Sequence, residues 1–328
     1  MRILIPCPDF EDSFADNVKV TLREMGHEVL GGKAMKASVY GSVAGQVLSV
    51  ARERVFGYRP TPEEHRTLKL AKETRPDLLL SLTWDIHPEI LEEMRTIFPS
   101  RRILWWGDAP ANSGRWGIVN PGWDRVYVKD PDVAAKLVLV GLSASLLHEA
   151  MNPKWHRMIC RQENSSVAIA GNYYAFRQAM IARLMRDGVT LALYGPKPPL
   201  WSLREVTRGW TGQYVTRGEK SRVFGAALAC LNTFSPVERN SLNCRAFEIA
   251  GAGGLQLIEY RPVLDECFEP GKEVLAFSTY PELLDHIARA RSHPEEMVSI
   301  RAAGARRALA HHTYRHRLLK ILSDVGCG

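Results

Sequence analysis

The residues best suited to chemistry lie close together between positions 240 and 254. This segment reads NSLNCRAFEIAGAGG, in which Asn243, Arg245 and Glu248 open a predicted helix that ends in a glycine cluster before a buried strand. A helix N-terminus offers free N–H groups and the positive end of the helix dipole to a phosphate. A carboxylate one turn further on could accept two ribose hydroxyls. The segment therefore predicts a nucleotide-binding helix, with a surface ion pair between Arg245 and Glu248 as the alternative.

The elements that must position this helix alternate in type along the chain. Short apolar runs alternate with helical patterns, which indicates βαβ units and a mostly parallel sheet. The predicted strands of the first half are residues 2–6, 27–30, 77–82, 102–106 and 124–128, with helices at 14–25, 88–97 and 131–139. The pattern restarts near residue 167, with strands at 167–170, 190–194, 228–231, 255–258 and 274–277 and helices at 176–186, 220–226, 244–250 and 281–290. Residues 294 to about 324 read as helical, with a break at 311–313.

This pattern predicts an α/β protein of two doubly wound, parallel-sheet domains. Each domain would present the carboxyl ends of its strands to a cleft between the two. Ligands of such folds bind at those strand ends.

Composition narrows the class of protein. The chain has 328 residues, of which 45% are hydrophobic and 24% charged, and this excludes collagen, disordered tails and small disulfide scaffolds. Its net charge of +7 suggests an anionic partner. However, residues 289–328 hold 8 basic and 3 acidic side chains, against 14 and 13 in residues 161–288. The surplus is therefore mostly C-terminal, and binding of nucleic acid is a weak hypothesis because the basic residues are not interleaved with aromatic ones.

Cysteines and apolar runs indicate the compartment. The six cysteines show no CxxC spacing, which makes zinc unfavoured and a reduced chain the better interpretation. The N-terminus lacks the apolar core of a signal peptide, and no run approaches about 18 uninterrupted apolar residues. We therefore expect a cytoplasmic protein.

Several separate sequence blocks follow one another in the order that they have in a known family. The strongest blocks are residues 167–172 with Arg177, 191–195 with Trp201, 231–232, 243–253, 268–271 and 312–317. A looser match covers Trp84-Asp85, Asp108 and residues 124–130. Together these blocks resemble the CgeB-like glycosyltransferases, which belong to the wider GT-B glycosyltransferases.

The resemblance implies a GT-B fold with three parts. Residues 1–158 would form an acceptor-binding domain and residues 159–305 a nucleotide-sugar-binding domain. The last segment, 306–328, would pack back on the first domain.

GT-B enzymes bind the donor diphosphate without a metal held by an Asp-x-Asp pair, and this chain has no such pair in a suitable position. We therefore expect no metal and no cofactor apart from the nucleotide sugar. Larger retaining relatives carry two glutamates eight residues apart, but position 240 is Asn240, so the sequence leaves open whether transfer is retaining or inverting.

Further donor-site candidates follow from position. Gly171 and Asn172 end a predicted strand, so that a backbone amide there could face phosphate, although an ordinary turn is the alternative. Arg177 could hold the diphosphate in a bidentate manner or could simply be solvated. Tyr194, Gly195 and Tyr214 occupy strand-end positions from which folds of this kind contact the nucleobase.

Acceptor-side candidates come from the first domain. Sugar transfer must remove a proton from the acceptor hydroxyl, so a carboxylate or histidine is expected there. Asp108 is the first candidate, because it follows a buried strand whose apolar surroundings would raise its pKa, and Asp85 is the second. Asp9, Asp12 and His87 complete the acceptor-side set. Helix capping is the alternative role for the aspartates.

The sequence thus predicts a glycosyltransferase that moves a sugar from a nucleoside-diphosphate donor to a hydroxyl of a bacterial glycan, lipid-linked or protein acceptor. A sugar-nucleotide epimerase of the same fold is the alternative. The basic stretch 301–320 could touch an anionic membrane, and a solvated face is the competing interpretation.

Overall fold

The computed structural model describes residues 1–31, 53–55, 57–98, 101–110 and 113–326. The chain forms two compact units, Met1–Leu147 together with Leu318–Gly328, and His148–Arg317. Each unit contains its own parallel β-sheet. Within the described ranges, no helix combines the length and the apolar character that a bilayer span requires.

The sheet of the first unit has six described strands, all paired in parallel. They are β1 (Arg2–Leu4), β2 (Glu28–Leu30), β3 (Leu78–Leu82), β4 (Arg102–Trp106), β5 (Arg125–Val128) and β6 (Ala144–Leu146), in the spatial order β2-β1-β3-β4-β5-β6. Every residue of β3 and β4 is buried. Continuous burial is what central strands covered on both faces require, and it explains their mainly apolar sequences LLLSL and RILWW.

The helices of the first unit begin at residues that cap them. They are α1 (Phe14–Glu24), α2 (Pro62–Thr74), α3 (Pro88–Arg95) and α4 (Pro131–Leu139), and a 3₁₀ turn spans Gly117–Val119. A side chain just before each α-helix accepts a backbone N–H of its first turn, and the four capping residues are Ser13, Thr61, His87 and Asp130. Three of the helices open with proline, whose fixed φ angle suits the first helical position.

The second unit has five described strands, again parallel. They are β7 (Val167–Ala170), β8 (Leu191–Tyr194), β9 (Ala229–Asn232), β10 (Gln256–Glu259) and β11 (Leu275–Phe277), in the order β11-β10-β9-β7-β8. The helices are α5 (Ala175–Arg186), α6 (Arg204–Gly209), α7 (Arg217–Ala226), α8 (Cys244–Gly251), α9 (Leu264–Cys267), α10 (Tyr280–Ser292) and α11 (Pro294–His311). The central strands β7 and β9 are wholly buried, so the carboxyl ends of β7, β8 and β9 form one edge of a rigid sheet.

The last helix, α12 (Tyr314–Asp324), begins in the second unit and ends in the first. Within the first unit, Asp324 Oδ2 accepts hydrogen bonds from Arg125 Nη1 at 3.0 Å and from the hydroxyl of Tyr127 at 2.7 Å. Both partners lie on β5. These bonds attach the end of the chain to the first unit.

The predicted α/β class and the predicted strands are confirmed by the two parallel sheets. The break at residues 311–313 is also confirmed, because α11 ends at His311 and α12 begins at Tyr314. The structure adds β6 and the helices α2, α6 and α9, which the sequence patterns did not indicate.

Candidate functional site

Two glycines end neighbouring strands at the carboxyl edge of the second sheet. Gly171 follows β7 with a φ of +124°, and Gly195 follows β8 with a φ of +147°. A Cβ atom at position 195 would lie 2.5 Å from the carbonyl oxygen of Gly171. Only glycine tolerates both the φ angles and this close approach of two backbones.

Two guanidinium groups lie over the Gly171 turn. A Cβ atom at Gly171 would be 2.7 Å from Arg245 Nη1 and 3.2 Å from Arg177 Nη1. The two like charges are near enough to interact, since Arg245 contributes to lowering the pKa of Arg177. Such a pair concentrates positive charge at the strand ends, which is the arrangement that a phosphate or diphosphate requires.

Arg177 is part of the framework of this site. It is 2% exposed and donates hydrogen bonds to the carbonyl oxygens of Asn172 (2.7 Å) and Thr233 (3.0 Å) and to Thr233 Oγ1 (3.3 Å). Its guanidinium carbon lies 4.5 Å from the ring centroid of Tyr174. Burial first, and Arg245 second, lower the pKa of Arg177 to about 10, so the side chain is still protonated at neutral pH.

Arg245 is held in a different way. It lies in the first turn of α8 and is only partly buried, and its Nε atom has no hydrogen-bond acceptor among the described residues. Asn243, two residues before Arg245, fixes the start of the helix, because its Oδ1 atom accepts a hydrogen bond from Ala246 N at 3.3 Å. Asn243 and Asn232 also exchange two amide hydrogen bonds, of 3.0 and 3.1 Å. Arg245 therefore projects towards the Gly171 turn from a helix start that these hydrogen bonds fix.

Glu248 has a cationic partner from another helix. It is 2% exposed, its Oε2 atom accepts a hydrogen bond from Lys220 Nζ at 3.0 Å, and its Oε1 atom is 3.8 Å from His156 Nε2. The alternative of a surface ion pair between Arg245 and Glu248 is wrong, because Glu248 is buried and its ion pair is with Lys220. The predicted contact between Glu248 and ribose hydroxyls stays a prediction.

A cavity of about 490 Å³ lies beside the edge strand β8. Tyr194, Gln213, Tyr214 and Val215 line one part of it, and the backbone N–H of Gly195 donates to the carbonyl of Gln213 at 2.9 Å. Tyr214 is 59% exposed, so an aromatic face is open to a ligand. The cavity thus brings together Tyr194 and Tyr214, the two aromatic residues assigned from sequence to the nucleobase.

Two predicted donor residues have mainly structural roles in the second unit. The side chain of Asn172 is exposed, and its carbonyl accepts from Arg177. Asn243 caps α8, as described above. Sequence reasoning missed Thr233, Tyr174 and Lys220. The position of Thr233 directly after β9 was a usable signal, whereas nothing in the sequence pairs Lys220 with Glu248.

In the first unit, Asp85 has the surroundings of a functional carboxylate. It lies beyond the carboxyl end of β3, where its Oδ2 atom accepts from the backbone N–H of Gly117 at 3.1 Å and its Oδ1 atom accepts from Asn120 Nδ2 at 3.3 Å. Burial raises the pKa of Asp85 to about 6, although these two hydrogen bonds lower it. A carboxyl with such a pKa can both accept and release a proton near neutral pH.

Asp108 lacks the apolar surroundings that its sequence position predicts. Its side chain is exposed, whereas Asp85 is the carboxylate whose pKa burial raises. The reason is that β4 ends at Trp106 and the chain has already reached the surface two residues later.

The remaining acceptor-side candidates have structural partners. Asp9 forms an ion pair with Lys19 Nζ at 3.1 Å, and Asp12 accepts from Asn17 Nδ2 at 3.3 Å. His87 is buried and caps α3, because its Nδ1 atom accepts from Glu89 N at 3.2 Å. In this acceptor-side set, Asp85 is the carboxylate whose pKa is raised by burial.

Comparison with known proteins gives one family match. Residues 175–323, slightly less than half of the chain, match the family described as "Glycosyl transferase-like". No curated protein sequence matches the chain.

Solved structures match over nearly the whole chain. HepE of Anabaena, solved in complex with UDP-glucose, is 11% identical with a TM-score of 0.65, and 99% of each chain is covered. Sucrose-phosphate synthase of Thermosynechococcus elongatus is 12% identical with a TM-score of 0.67 and 98% coverage of each chain. AviGT4, a glycosyltransferase involved in avilamycin A biosynthesis, is 15% identical with a TM-score of 0.61, covering 99% of this chain and 97% of that one. At these identities the likeness shows the fold, which is the GT-B type predicted from sequence.

Proposed function

We propose that this protein is a glycosyltransferase that moves a sugar from a nucleoside-diphosphate sugar to a hydroxyl acceptor. The observation that carries the proposal is the pair of guanidinium groups, Arg177 and Arg245, over the Gly171 turn. The family match to glycosyl transferase-like proteins and the likeness to HepE, which was solved with UDP-glucose, support it.

The donor site follows from the second unit. In this proposal the diphosphate lies against Arg245, Arg177 and the backbone at Gly171 and Gly195. The nucleobase enters the cavity lined by Tyr194 and Tyr214. The positive charge that the leaving diphosphate requires comes from the two arginines, so the proposal includes no metal ion.

The chemical step needs a proton acceptor for the attacking hydroxyl. We assign this role to Asp85 and keep Asp108 as the second candidate. In this step the acceptor oxygen forms a bond to the anomeric carbon of the sugar. The bond from that carbon to the diphosphate breaks, and the proton of the hydroxyl passes to the carboxylate. With a pKa near 6, Asp85 is mostly ionised at neutral pH and can accept that proton.

The finer assignment to the CgeB-like group rests on the sequence blocks around Arg177, Trp201 and residues 243–253. A bacterial glycan, lipid-linked or protein acceptor is part of the same assignment. So is a location in the cytoplasm.

The proposal is tested with purified protein and a panel of nucleoside diphosphates and their sugar conjugates. A ligand that binds only the folded state raises the thermal unfolding midpoint. We expect at least one member, UDP and UDP-glucose being the first choices, to raise Tm in the wild type. Arg245→Gln should reduce the shift at the same ligand concentration. Arg291→Gln, which changes an exposed arginine in the last turn of α10, should leave it intact. If no member of the panel changes Tm, the protein is not a nucleotide-sugar enzyme.

A further inference from the structure

Asn120 is completely buried beside Asp85, and both the nitrogen and the oxygen of its amide group form hydrogen bonds. Its Nδ2 atom donates to the carbonyl oxygen of Ile86 at 2.8 Å and to Asp85 Oδ1 at 3.3 Å, and its Oδ1 atom accepts from the backbone N–H of Gly122 at 3.0 Å. The Gly122 N–H can only donate and the Ile86 carbonyl can only accept. These two contacts fix which end of the amide is which, so an N–H must point towards Asp85.

The second donor to Asp85 comes from the same segment of chain. Gly117 N–H reaches the other carboxylate oxygen, and Gly117 has a φ of +42°. A Cβ atom at Gly117 would overlap with Ser113 Oγ. Glycine is thus required at the position that brings this N–H to the carboxylate. Each oxygen of Asp85 therefore has its own N–H donor on the segment between residues 117 and 122.

Other charged groups face Asp85 from neighbouring elements. Burial first, and Glu64 on α2 to a smaller extent, raise the pKa of Asp85, whereas the N–H groups of Asn120, Gly117 and Ile86 lower it. Arg115, which forms an ion pair with Glu53, lies with its guanidinium carbon 4.7 Å from the ring centroid of Tyr58. Asp85 contributes to raising the pKa of both Tyr58 and Arg115. Among all these groups, Asn120 is the buried one that donates directly to the carboxylate from a side chain.

We propose that Asn120 is a positioning residue for Asp85. Its amide orients the carboxylate and favours the ionised form that can take a proton from an acceptor hydroxyl. This proposal rests on the proposed function, because it assigns Asp85 the role of proton acceptor. A hydrogen bond to the ionised form of a carboxyl lowers its pKa, so loss of the donor must raise it.

The first experiment needs no substrate. The full-length protein, with aspartate labelled with ¹³C at the carboxyl carbon, is titrated by NMR, and the Asp85 signal is assigned with Asp85→Asn. Asn120→Ala should raise the pKa of Asp85 by about one unit, the size expected for loss of a hydrogen bond to a charged group. Asn120→Asp, which keeps the shape of the side chain, should raise it further because a second carboxylate then faces the first. It also serves as the test if Asn120→Ala does not fold.

Asn17→Ala is the matched control. Asn17 is another buried asparagine of the first unit, whose amide donates to a carbonyl (Ser13) and a carboxylate (Asp12). It should leave the Asp85 titration unchanged. An Asp85 pKa that moves equally in Asn17→Ala and Asn120→Ala, or in neither, overturns the proposal.

The second experiment follows turnover of the nucleotide sugar against pH. In Asn120→Ala the acid limb of kcat/KM should move up by the same amount as the NMR titration, with the rate recovering at high pH. A residue needed only for folding would lower the rate by one factor at every pH, and that outcome rejects the positioning role. If the NMR shift appears but no nucleotide sugar is turned over by the wild type, the glycosyltransferase assignment fails while the coupling of Asn120 to Asp85 stands.

Discussion

At the scale of single residues, Arg177 and Arg245 of the second unit have different hydrogen-bond partners. Arg177 satisfies carbonyl oxygens of Asn172 and Thr233 inside the protein, whereas Arg245 keeps Nε without a protein acceptor in the described ranges. In the proposed donor site, the first residue is therefore part of the wall, and the second is the one that we expect to bind the ligand. The same substitution should therefore have different consequences at the two positions.

Arg245→Gln should weaken nucleoside diphosphate binding by about 10- to 100-fold, the equivalent of one or two charge-assisted hydrogen bonds, with little change in stability. Arg177→Gln should weaken binding too and should also lower the free energy of unfolding by about 1–3 kcal/mol, because buried carbonyls lose their donor. Calorimetric titration with UDP and urea unfolding separate the two effects. Equal stability of both variants would contradict the division of roles.

Asp85 and Asp108 give the second comparison of residues. Asp85→Asn should lower kcat by about 10²- to 10⁴-fold, the usual contribution of a general base, while KM for the donor changes little. Asp108→Asn makes the same chemical change at an exposed carboxylate and should reduce kcat much less. Steady-state kinetics with a saturating donor measures both. A larger loss in Asp108→Asn than in Asp85→Asn would transfer the catalytic role to Asp108.

At the scale of elements, the close approach of the turns after β7 and β8 shapes the proposed diphosphate site. Gly195→Ala must place a Cβ atom 2.5 Å from the Gly171 carbonyl oxygen, in addition to the strain of a positive φ. Gly212→Ala is a suitable control, because Gly212 has a φ of +78° and no atom within 4 Å of its would-be Cβ. We expect Gly212→Ala to cost about 1–2 kcal/mol of stability from φ alone. Gly195→Ala should cost more and should also abolish binding of UDP, as measured by thermal shift; equal effects would show that the turns can move apart.

The junction between α11 and α12 supplies a pH-dependent element. His312 is buried between Phe247 and Phe268, and its Nε2 atom is 2.8 Å from the carbonyl oxygen of Cys267. Burial, and then Arg317, lower its pKa to about 3 from the ordinary value of 6.5. The unfolded chain therefore binds an extra proton between these two pH values. The stability is complete above about pH 6.5 and falls as the pH drops towards 3, by at most about 1.4 kcal/mol per pH unit from this group.

Replacing His312 removes that titration. Urea unfolding of His312→Gln at pH 7 and pH 5 should show a smaller loss of stability between the two values than the wild type shows. His311, which ends α11, is exposed, and His311→Gln is therefore the matched control. This variant should lose as much stability between pH 7 and pH 5 as the wild type. An unchanged pH dependence in His312→Gln would mean that other groups govern acid sensitivity.

A helix or strand could be predicted where its own residues contain a clear sequence pattern. The strands β3 and β4 were evident from mainly apolar runs, and α4 was evident from the proline that opens it. Helix α2 was missed although its signal is present, since Thr61 and Glu64 form a capping box. Strand β6 could not have been found, because its three half-buried residues ASL contain no strand pattern of their own.

The site was predictable only in part, for a related reason. Strand-end positions predicted Gly171 and Gly195 as donor-site residues, because every parallel sheet brings such ends to one edge, and the predicted helix start at residues 243–245 added Arg245. Which side chains meet there depends on packing between distant segments. Examples are the ion pair of Lys220 with Glu248 and the bonds of Asn120 to Asp85 and Ile86. No periodicity or spacing encodes these partners.

At the scale of the whole molecule, the surplus of positive charge near the C-terminus is used in part inside the second unit. The C-terminal surplus suggested a surface for anionic lipids, yet Arg301 donates to four backbone carbonyls, those of Gly225, Gly253, Ala227 and Leu228. Arg317 likewise donates to the carbonyls of His148 and His311. These charges serve the interior of the second unit, so a membrane contact through this stretch would depend on exposed residues such as Arg306 and Arg315.

The end of the chain returns to the first unit, and this yields a prediction about the stability of the whole. Ile321 is fully buried, whereas Asp324 contributes hydrogen bonds to Arg125 and Tyr127 from a partly exposed position. Ile321→Ala should lower the free energy of unfolding by about 2–5 kcal/mol through the lost packing. Asp324→Asn should lower it by less than about 1 kcal/mol, because exposed ion pairs contribute little. Hydrogen exchange followed by mass spectrometry should show faster exchange in β5 for Ile321→Ala. Protection of β5 that is unchanged in that variant would show that the tail is dispensable to the first unit.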